Sequence, residues 1–353
     1  MSLLKHSSIL IVGVIISNGL AYVFHFIAGR YLGPEDYGAF GALMALFLLI
    51  AMPSSAISFA ITKYTAKFVS ENSLGKITIL RRKIQNDVFI IAAIVFLFII
   101  LFSKPIAGYL KITSIVPLII IGITLIFTML LPVNRGILQG MKKFKTLSWN
   151  NVIEAFARLA LLVLFLFLGF GVNGTIMAYG LAYFVAFLWV FLFIKEIKPK
   201  NTINEIIETK PIYTFIFQVL FVNIILQSLI NIPSLFIKHY YSSEFTGYWT
   251  AALNIARLSL FVSAAIGQVM FPEIAGENNL NIQKKIFKKA ALYVLLVSSA
   301  MALLFFIIPD FCIKILYGPT YSEAIPILKW LGIAMIFLGL LQLWTNYLLA
   351  KLN

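Results

Sequence analysis

The sequence predicts an all-α protein threaded through a membrane about ten times, and three observations predict it. Hydrophobic residues make up 61% of the chain and charged residues only 12%, more apolar surface than a water-soluble globule can hide. The apolar residues gather in runs of about 20, the length a helix needs to cross the hydrocarbon layer. These runs are too long for strands and do not alternate, so closed helices must satisfy the backbone groups that lipid cannot. Between them, short loops alternate between dense and sparse in Lys and Arg.

In chain order the runs, spans 1 to 5, lie near 8–29, 37–62, 87–103, 115–138 and 151–170. Spans 6 to 10 lie near 174–194, 212–237, 247–270, 290–308 and 323–349. Span 1 is too long for a secretory signal peptide and lacks a small-residue cleavage site, so it is expected to remain as a helix. Cytoplasmic loops keep the basic residues that resist translocation. With the N-terminus inside, 19 of the 28 Lys and Arg fall in inside segments; Arg30, Lys104, Lys111, Lys238 and Lys314 fall outside. Arg135, Arg158, Arg257 and Lys329 fall within spans. Both ends are therefore expected in the cytoplasm, with the protein in the plasma membrane. The net charge of +15 reads as this topology signal plus affinity for anionic membrane lipids, not for nucleic acid. The single cysteine, Cys312, excludes an intramolecular disulfide and any multi-cysteine metal site. Neither a cofactor nor a metal is expected.

An internal repeat organises the spans. Glu35-Asp36-Tyr37-Gly38 after span 1 matches Glu244-Phe245-Thr246-Gly247 after span 7 at an offset of 209 residues. The same offset carries Asn18 onto Gln227, Leu20 onto Leu229, Tyr31 onto Tyr240 and Pro117 onto Pro326. An even number of spans per repeat keeps both halves in one orientation, related by an axis along the membrane normal. The expected organisation is a six-helix lobe at 1–195, a cytoplasmic linker at 196–211 and a four-helix lobe at 212–353. These are two pseudo-symmetric bundles, the second short by two helices. Whether that marks a shortened protein or a fragment is left open.

Four stretches then carry a resemblance. Arg30-Tyr31-Leu32-Gly33-Pro34-Glu35-Asp36-Tyr37-Gly38, Gly136-Ile137-Leu138-Gln139-Gly140-Met141-Lys142-Lys143-Phe144, Phe271-Pro272-Glu273 and Tyr317-Gly318-Pro319-Thr320-Tyr321 resemble the polysaccharide-type flippases. That family is grouped with the multidrug extrusion transporters and lipid II flippases. The resemblance implies two bundles around a central cavity, lined by spans 1, 2, 7 and 8. It implies alternating-access export of polyprenyl-diphosphate-linked oligosaccharide from the cytoplasmic to the outer leaflet, for cell-surface polysaccharide. It also implies membrane lipids and polysaccharide-assembly proteins as partners. The short second lobe departs from the family pattern and puts autonomous activity in question.

Polar groups within spans are costly and mark either an interhelical contact or a water-filled path. Asn18, Tyr22 and His25 share one face of span 1 at i, i+4 and i+7, and Gln227, Asn231 and Ser234 repeat that spacing at the 209 offset, with Asn223 one turn earlier. Two readings stay open, a pseudo-symmetric polar cleft and amide bonding between packed helices. Arg257, ten residues into span 8, is expected roughly 15 Å deep, with Asn254 one turn before it and no acid in that span before Glu273. It admits a cavity-facing role towards an anion such as diphosphate, whose oxygens suit a fork of donors, or a structural pair to an acid on another helix. Arg158 follows Glu154 by four residues, the helical ion-pair spacing, and reads as structural or functional. Arg135 can snorkel or greet an entering head group. Lys63 has a similar entrance role, and Arg81-Arg82-Lys83 read as an anchor on anionic lipid. Pro53, Pro132 and Pro233 lie within spans as hinge candidates.

Other functions fit less well. A cation-coupled drug exporter ordinarily needs an acid in the membrane core, and only Glu154, expected near the cytoplasmic edge, is available. A membrane glycosyltransferase would need carboxylates beside a substantial loop, but the longest loop, 63–86, is basic. No enzyme activity is expected. A non-transporting scaffold remains if the short second lobe is natural.

Overall fold

A computed structural model describes residues 2–195, 207–275 and 279–351. Residues 196–206 of the expected linker lie outside the described residues, as do 352 and 353 at the end of the expected second lobe. Every long element is helical, with no strand among the described residues, and the chain is a polytopic all-α membrane protein. The helices are α1 (Ser2–Ile50), α2 (Pro53–Ser70), α3 (Leu74–Leu101), α4 (Ser103–Tyr109), α5 (Val116–Gly140), α6 (Phe144–Phe167) and α7 (Gly171–Lys195). They continue as α8 (Lys210–Tyr240), α9 (Ser243–Ala256), α10 (Leu258–Ala275), α11 (Leu280–Ile307), α12 (Pro309–Leu316) and α13 (Ala324–Lys351), with a 3-10 turn at Pro319–Tyr321.

Nine described helical stretches are long and apolar enough to cross a membrane, where ten spans were expected. The difference lies in α1, which runs through spans 1 and 2 with one interruption at Gly33 (φ 71°, ψ 174°). Only glycine takes that conformation without a steric penalty, and Pro34 follows it inside the helical run. Span 2 then breaks at Ala51–Met52 and restarts at Pro53, the first-turn position where the missing amide hydrogen costs nothing. Span 8 is split as well, into α9 and α10 around Arg257. Spans 3 and 5 begin 13 and seven residues earlier than hydropathy suggests, because their first turns are polar.

Several helices end alike. After α2, α5 and α6 the backbone turns left-handed at Asn72, Lys142 and Gly169, and an amide reaches back to close the last turn: Ser73 N to Phe68 O at 2.9 Å, Lys143 N to Leu138 O at 2.8 Å and Phe170 N to Phe165 O at 3.0 Å. These closures satisfy carbonyls that would otherwise lie orphaned near the membrane surface.

The chain divides into two compact units, 1–31 with 42–239 and 32–41 with 240–353. In the first, α5 is central and packs on α2, α3 and α7. Its core includes Ile61, Leu80, Ile84, Val133, Ile137 and Val190. Gly136 and Gly140, one turn apart, let α5 lie against α2: a methyl at Gly136 would stand 2.8 Å from Ile61 Cβ, and one at Gly140 would stand 2.6 Å from Thr65 Cβ. Small residues at this spacing admit close helix approach where lipid supplies no hydrophobic drive. The outward faces carry large apolar groups, Phe167 at 83% and Phe217 at 74% exposure, a surface suited to acyl chains and not to water.

In the second unit, α13 packs on α9, α10 and α11, with Met270, Val294, Leu343 and Tyr347 in the core. The segment 34–41 packs there against its own repeat equivalent. Gly38 abuts Ser243 and Gly247, with Gly247 N 2.6 Å from where a Cβ would be; Gly247 abuts Pro34, and Gly41 abuts Thr250.

Candidate functional site

Each unit carries its own polar constellation. In the first unit, α6 presents Asn150, Glu154 and Arg158 at i, i+4 and i+8 on one face. Because α6 starts at Phe144, Glu154 lies about 15 Å along the helix and Arg158 about 21 Å. Arg135 of α5 donates from Nη2 to Glu154 Oε2 at 2.7 Å and from Nε to Asn150 Oδ1 at 2.7 Å. Arg158 donates to the other oxygen, Glu154 Oε1. Asn150 Nδ2 closes the array on Ala186 O of α7 at 2.8 Å. The guanidinium of Arg158 lies 4.4 Å from the Tyr179 ring and 5.5 Å from the Tyr183 ring, favourable cation–π contacts in a desolvated setting. Tyr179 Oη lies 3.3 Å from His25 Nε2 of α1.

The result is a chain of contacts from α1 through α7 to α6 and α5, built on two guanidiniums and one carboxylate. Side-chain exposures are 20% for Arg135, 8% for Glu154 and 10% for Arg158, so the surplus positive charge sits in a largely dry site. One carboxylate can neutralise only one of the two cations. Such a cluster is poised for a further anion and ill suited to bind a cation.

Around it, Arg81 turns inward: its Nε donates to Asn134 Oδ1 at 3.1 Å and its guanidinium lies 5.2 Å from the Phe191 ring. The basic trio at 81–83 is thus split between core and surface. Lys63 rests over Phe215 at 4.3 Å. On α8, Asn231 Nδ2 donates to Gln227 O at 2.9 Å and Gln227 Oε1 at 3.1 Å, while Asn223 Nδ2 reaches Ser55 Oγ at 2.8 Å. Asn18 on α1 is half-buried. Pro132 and Pro233 lie inside α5 and α8.

Two features escaped the sequence reading. Lys238, expected in an outside loop, is 1% exposed and extends the stripe of Gln227, Asn231 and Ser234 by four residues; continuing that register would have found it. In the second unit a tyrosine cluster joins two of the family-like stretches. Tyr37 Oη lies 3.2 Å from Tyr317 Oη and accepts from Asn254 Nδ2 at 2.9 Å. The Tyr37 and Tyr321 rings meet edge to face at 6.2 Å. Asn254 is thereby committed to a buried contact. Burial pushes the phenol of Tyr321 well above its ordinary pKa, with the neighbouring Tyr317 and Tyr248 adding to the shift.

Arg257 stands at the interruption between α9 and α10. Its amide bonds to Leu253 O at 2.9 Å, and its carbonyl accepts from Leu260 N at 3.0 Å, a turn tighter than α. No proline lies there. The Ser259 hydroxyl donates to Ala256 O at 2.8 Å, the carbonyl that Leu260 N would reach in a regular α-helix. Counting from Ser243, Arg257 is about 21 Å along the broken helix. Irregular backbone at membrane depth is tolerated where it is enclosed by protein or lines water, and not against lipid. Among the described residues no group of three or more His, Cys, Asp or Glu is arranged to hold a metal ion.

The family described as polysaccharide biosynthesis protein matches residues 3–277. An uncharacterized membrane protein of Methanocaldococcus jannaschii is 25% identical over 355 residues, covering 96% of this chain and 83% of that protein. A multidrug resistance MATE family transporter of the MOP superfamily, solved inward-facing, superposes with a TM-score of 0.73 at 14% identity, over 97% of this chain and 87% of that one. The lipid II flippase MurJ, solved inward closed, gives 0.73 at 15% identity, over 98% and 76%. A MOP superfamily transporter from Pyrococcus furiosus, described as having a binding pocket of reverse polarity that suggests a different function, gives 0.65 at 16% identity, over 98% and 84%. At these identities the likeness is one of fold.

Proposed function

We propose that this chain, which belongs to the polysaccharide biosynthesis protein family, is a flippase. It carries polyprenyl-diphosphate-linked oligosaccharide from the cytoplasmic to the outer leaflet of the plasma membrane by alternating access, its N-terminus in the cytoplasm. The observation that carries the reading is the interruption of the α9–α10 span at Arg257. A guanidinium set at a break in a membrane helix is a fixed fork of donors at mid-depth, where a diphosphate needs charge neutralisation and its lipid tail does not. The surplus cation of the Arg135–Glu154–Arg158 cluster supports the same sign of cargo. It weighs against export of cationic drugs, since the core carboxylate on that path is already held by two arginines. Asn18, half-buried on α1, offers a hydrogen bond suited to a sugar hydroxyl, whereas His25 and Asn231 are engaged by Tyr179 and Gln227. Pro132, Pro233 and the break before Pro53 are positions at which the spans can bend.

The test is reconstitution into vesicles with a fluorescent lipid-linked oligosaccharide on one leaflet and an impermeant quencher outside. Protein-dependent transfer to the other leaflet is expected. Efflux of a cationic dye without that transfer would replace this reading with multidrug export, and neither activity would favour a scaffold.

A further inference from the structure

We infer that the end of α3 assigned by its charge to the cytoplasmic face is a binding site for an anionic membrane phospholipid, independent of the translocated cargo. Thr78, Ile79, Arg82, Lys83 and Asn86 line an open groove of about 410 Å³. Their spacing of i, i+1, i+4, i+5 and i+8 puts them on one face of α3, and the volume suits a head group.

Six basic residues at this end, Lys63, Lys67, Lys76, Arg81, Arg82 and Lys83, meet only two acids, Glu71 and Asp87. Glu71 is engaged by Lys67 at 3.9 Å and Lys76 at 3.8 Å, and Asp87 by Lys83 at 3.6 Å and by the Tyr213 hydroxyl. Arg81 is turned into the core towards Asn134. Arg82 is exposed and has no acidic partner among the described residues. It therefore offers its full fork to a phosphate, with Asn86 and Thr78 as neutral donors beside it.

The same face continues in a different chemistry. Asn86 is followed at +4 and +11 by Ile90 and Leu97, each more than half exposed. Leu97 lies about 22 Å from Arg82 along the helix. A polar groove followed, about 12 Å beyond Arg82, by exposed apolar side chains about 10 Å apart matches a phospholipid, head group on Arg82 and one chain along Ile90 and Leu97. A free phosphate would use only the first part, and a zwitterionic lipid would leave the surplus charge of Arg82 unmatched.

The test uses the full chain purified in detergent, titrated with short-chain phosphatidylglycerol, phosphatidylcholine of the same chain length, and inorganic phosphate, each followed by native mass spectrometry. Phosphatidylglycerol is expected to bind at least about tenfold more tightly than either other probe. Arg82→Ala should weaken phosphatidylglycerol about tenfold, the loss of one charge-assisted bond, and leave phosphatidylcholine unchanged. Lys76→Ala, a basic control whose partner is Glu71, should alter neither. Equal affinity for the two lipids, inorganic phosphate binding as tightly as phosphatidylglycerol, or indifference to Arg82→Ala would each overturn the inference.

Discussion

Glu154→Gln tests the central cluster most directly. The substitution keeps the shape and one acceptor oxygen but removes the negative charge shared by Arg135 and Arg158. Two guanidiniums then face one neutral amide with little water at hand. Breaking a buried ion pair by removing one partner costs about 3–5 kcal/mol, most of it the penalty of the charge left behind. Arg135 keeps a fifth of its side-chain surface and is partly relieved by Asn150, which puts the expected loss at the low end, about 3 kcal/mol. Unfolding titrations in mixed micelles read it. Arg158→Met leaves the Arg135–Glu154 pair intact, so its expected cost is smaller, about 1–2 kcal/mol. The double variant Glu154→Gln/Arg158→Met returns the site to a single surplus cation and should be more stable than Glu154→Gln alone. A loss under about 1 kcal/mol for Glu154→Gln, or a double variant no better than it, would refute the surplus-charge account.

Arg257→Ala is expected to reduce flipping at least about tenfold while protein accumulates normally, because alanine readily adopts the φ of −58° and ψ of −18° found there; failure to accumulate would make Arg257 a packing residue. Gly140→Leu drives a side chain into Thr65, whose Cβ already stands 2.6 Å from the added position, and should cost about 1–3 kcal/mol or prevent folding, read as loss of a monodisperse peak on size exclusion. Tyr37→Phe removes the hydroxyl shared with Asn254 and Tyr317 and should cost about 1–2 kcal/mol; adding Asn254→Ala to it should cost little more, which the same unfolding titration measures.

Helical membrane class and family were legible because lipid imposes long apolar runs and because Gly33, Gly136, Gly140 and Gly318 mark places where backbone shape leaves little choice. Helix extents were less legible. Hydropathy sees only the part of a helix that meets acyl chains, so the polar first turns of α3 and α6 were missed. Arg158 and Glu154 betrayed their pairing by spacing alone, whereas Arg135 joins them from another helix, and no one-dimensional pattern holds that contact. Lys238 was misread because a charge near a span end looks like a loop residue unless the stripe behind it is extended. The break at Arg257 carries no proline and no glycine, and the serine bond beside it has counterparts in unbroken helices at Ser17 and Thr345, so local sequence does not mark it.

In the second unit, segments paired by the 209-residue offset meet each other. If two segments are related by a local two-fold, a contact from residue i to the mate of j must be accompanied by one from j to the mate of i. Gly38 meets Ser243, the mate of Pro34, and Pro34 meets Gly247, the mate of Gly38, while Gly41 meets its own mate, Thr250. These contacts are the reciprocal set that such a relation requires. It follows that Gly38 and Gly247 are set by backbone crossing backbone, with no space for a Cβ on either side, so the residues that make this chain recognisable are here scaffold. The charged positions Arg135, Glu154, Arg158 and Arg257 lie outside that seam and outside the family-like stretches. A substitution at any of these charged positions therefore leaves the glycine crossing untouched.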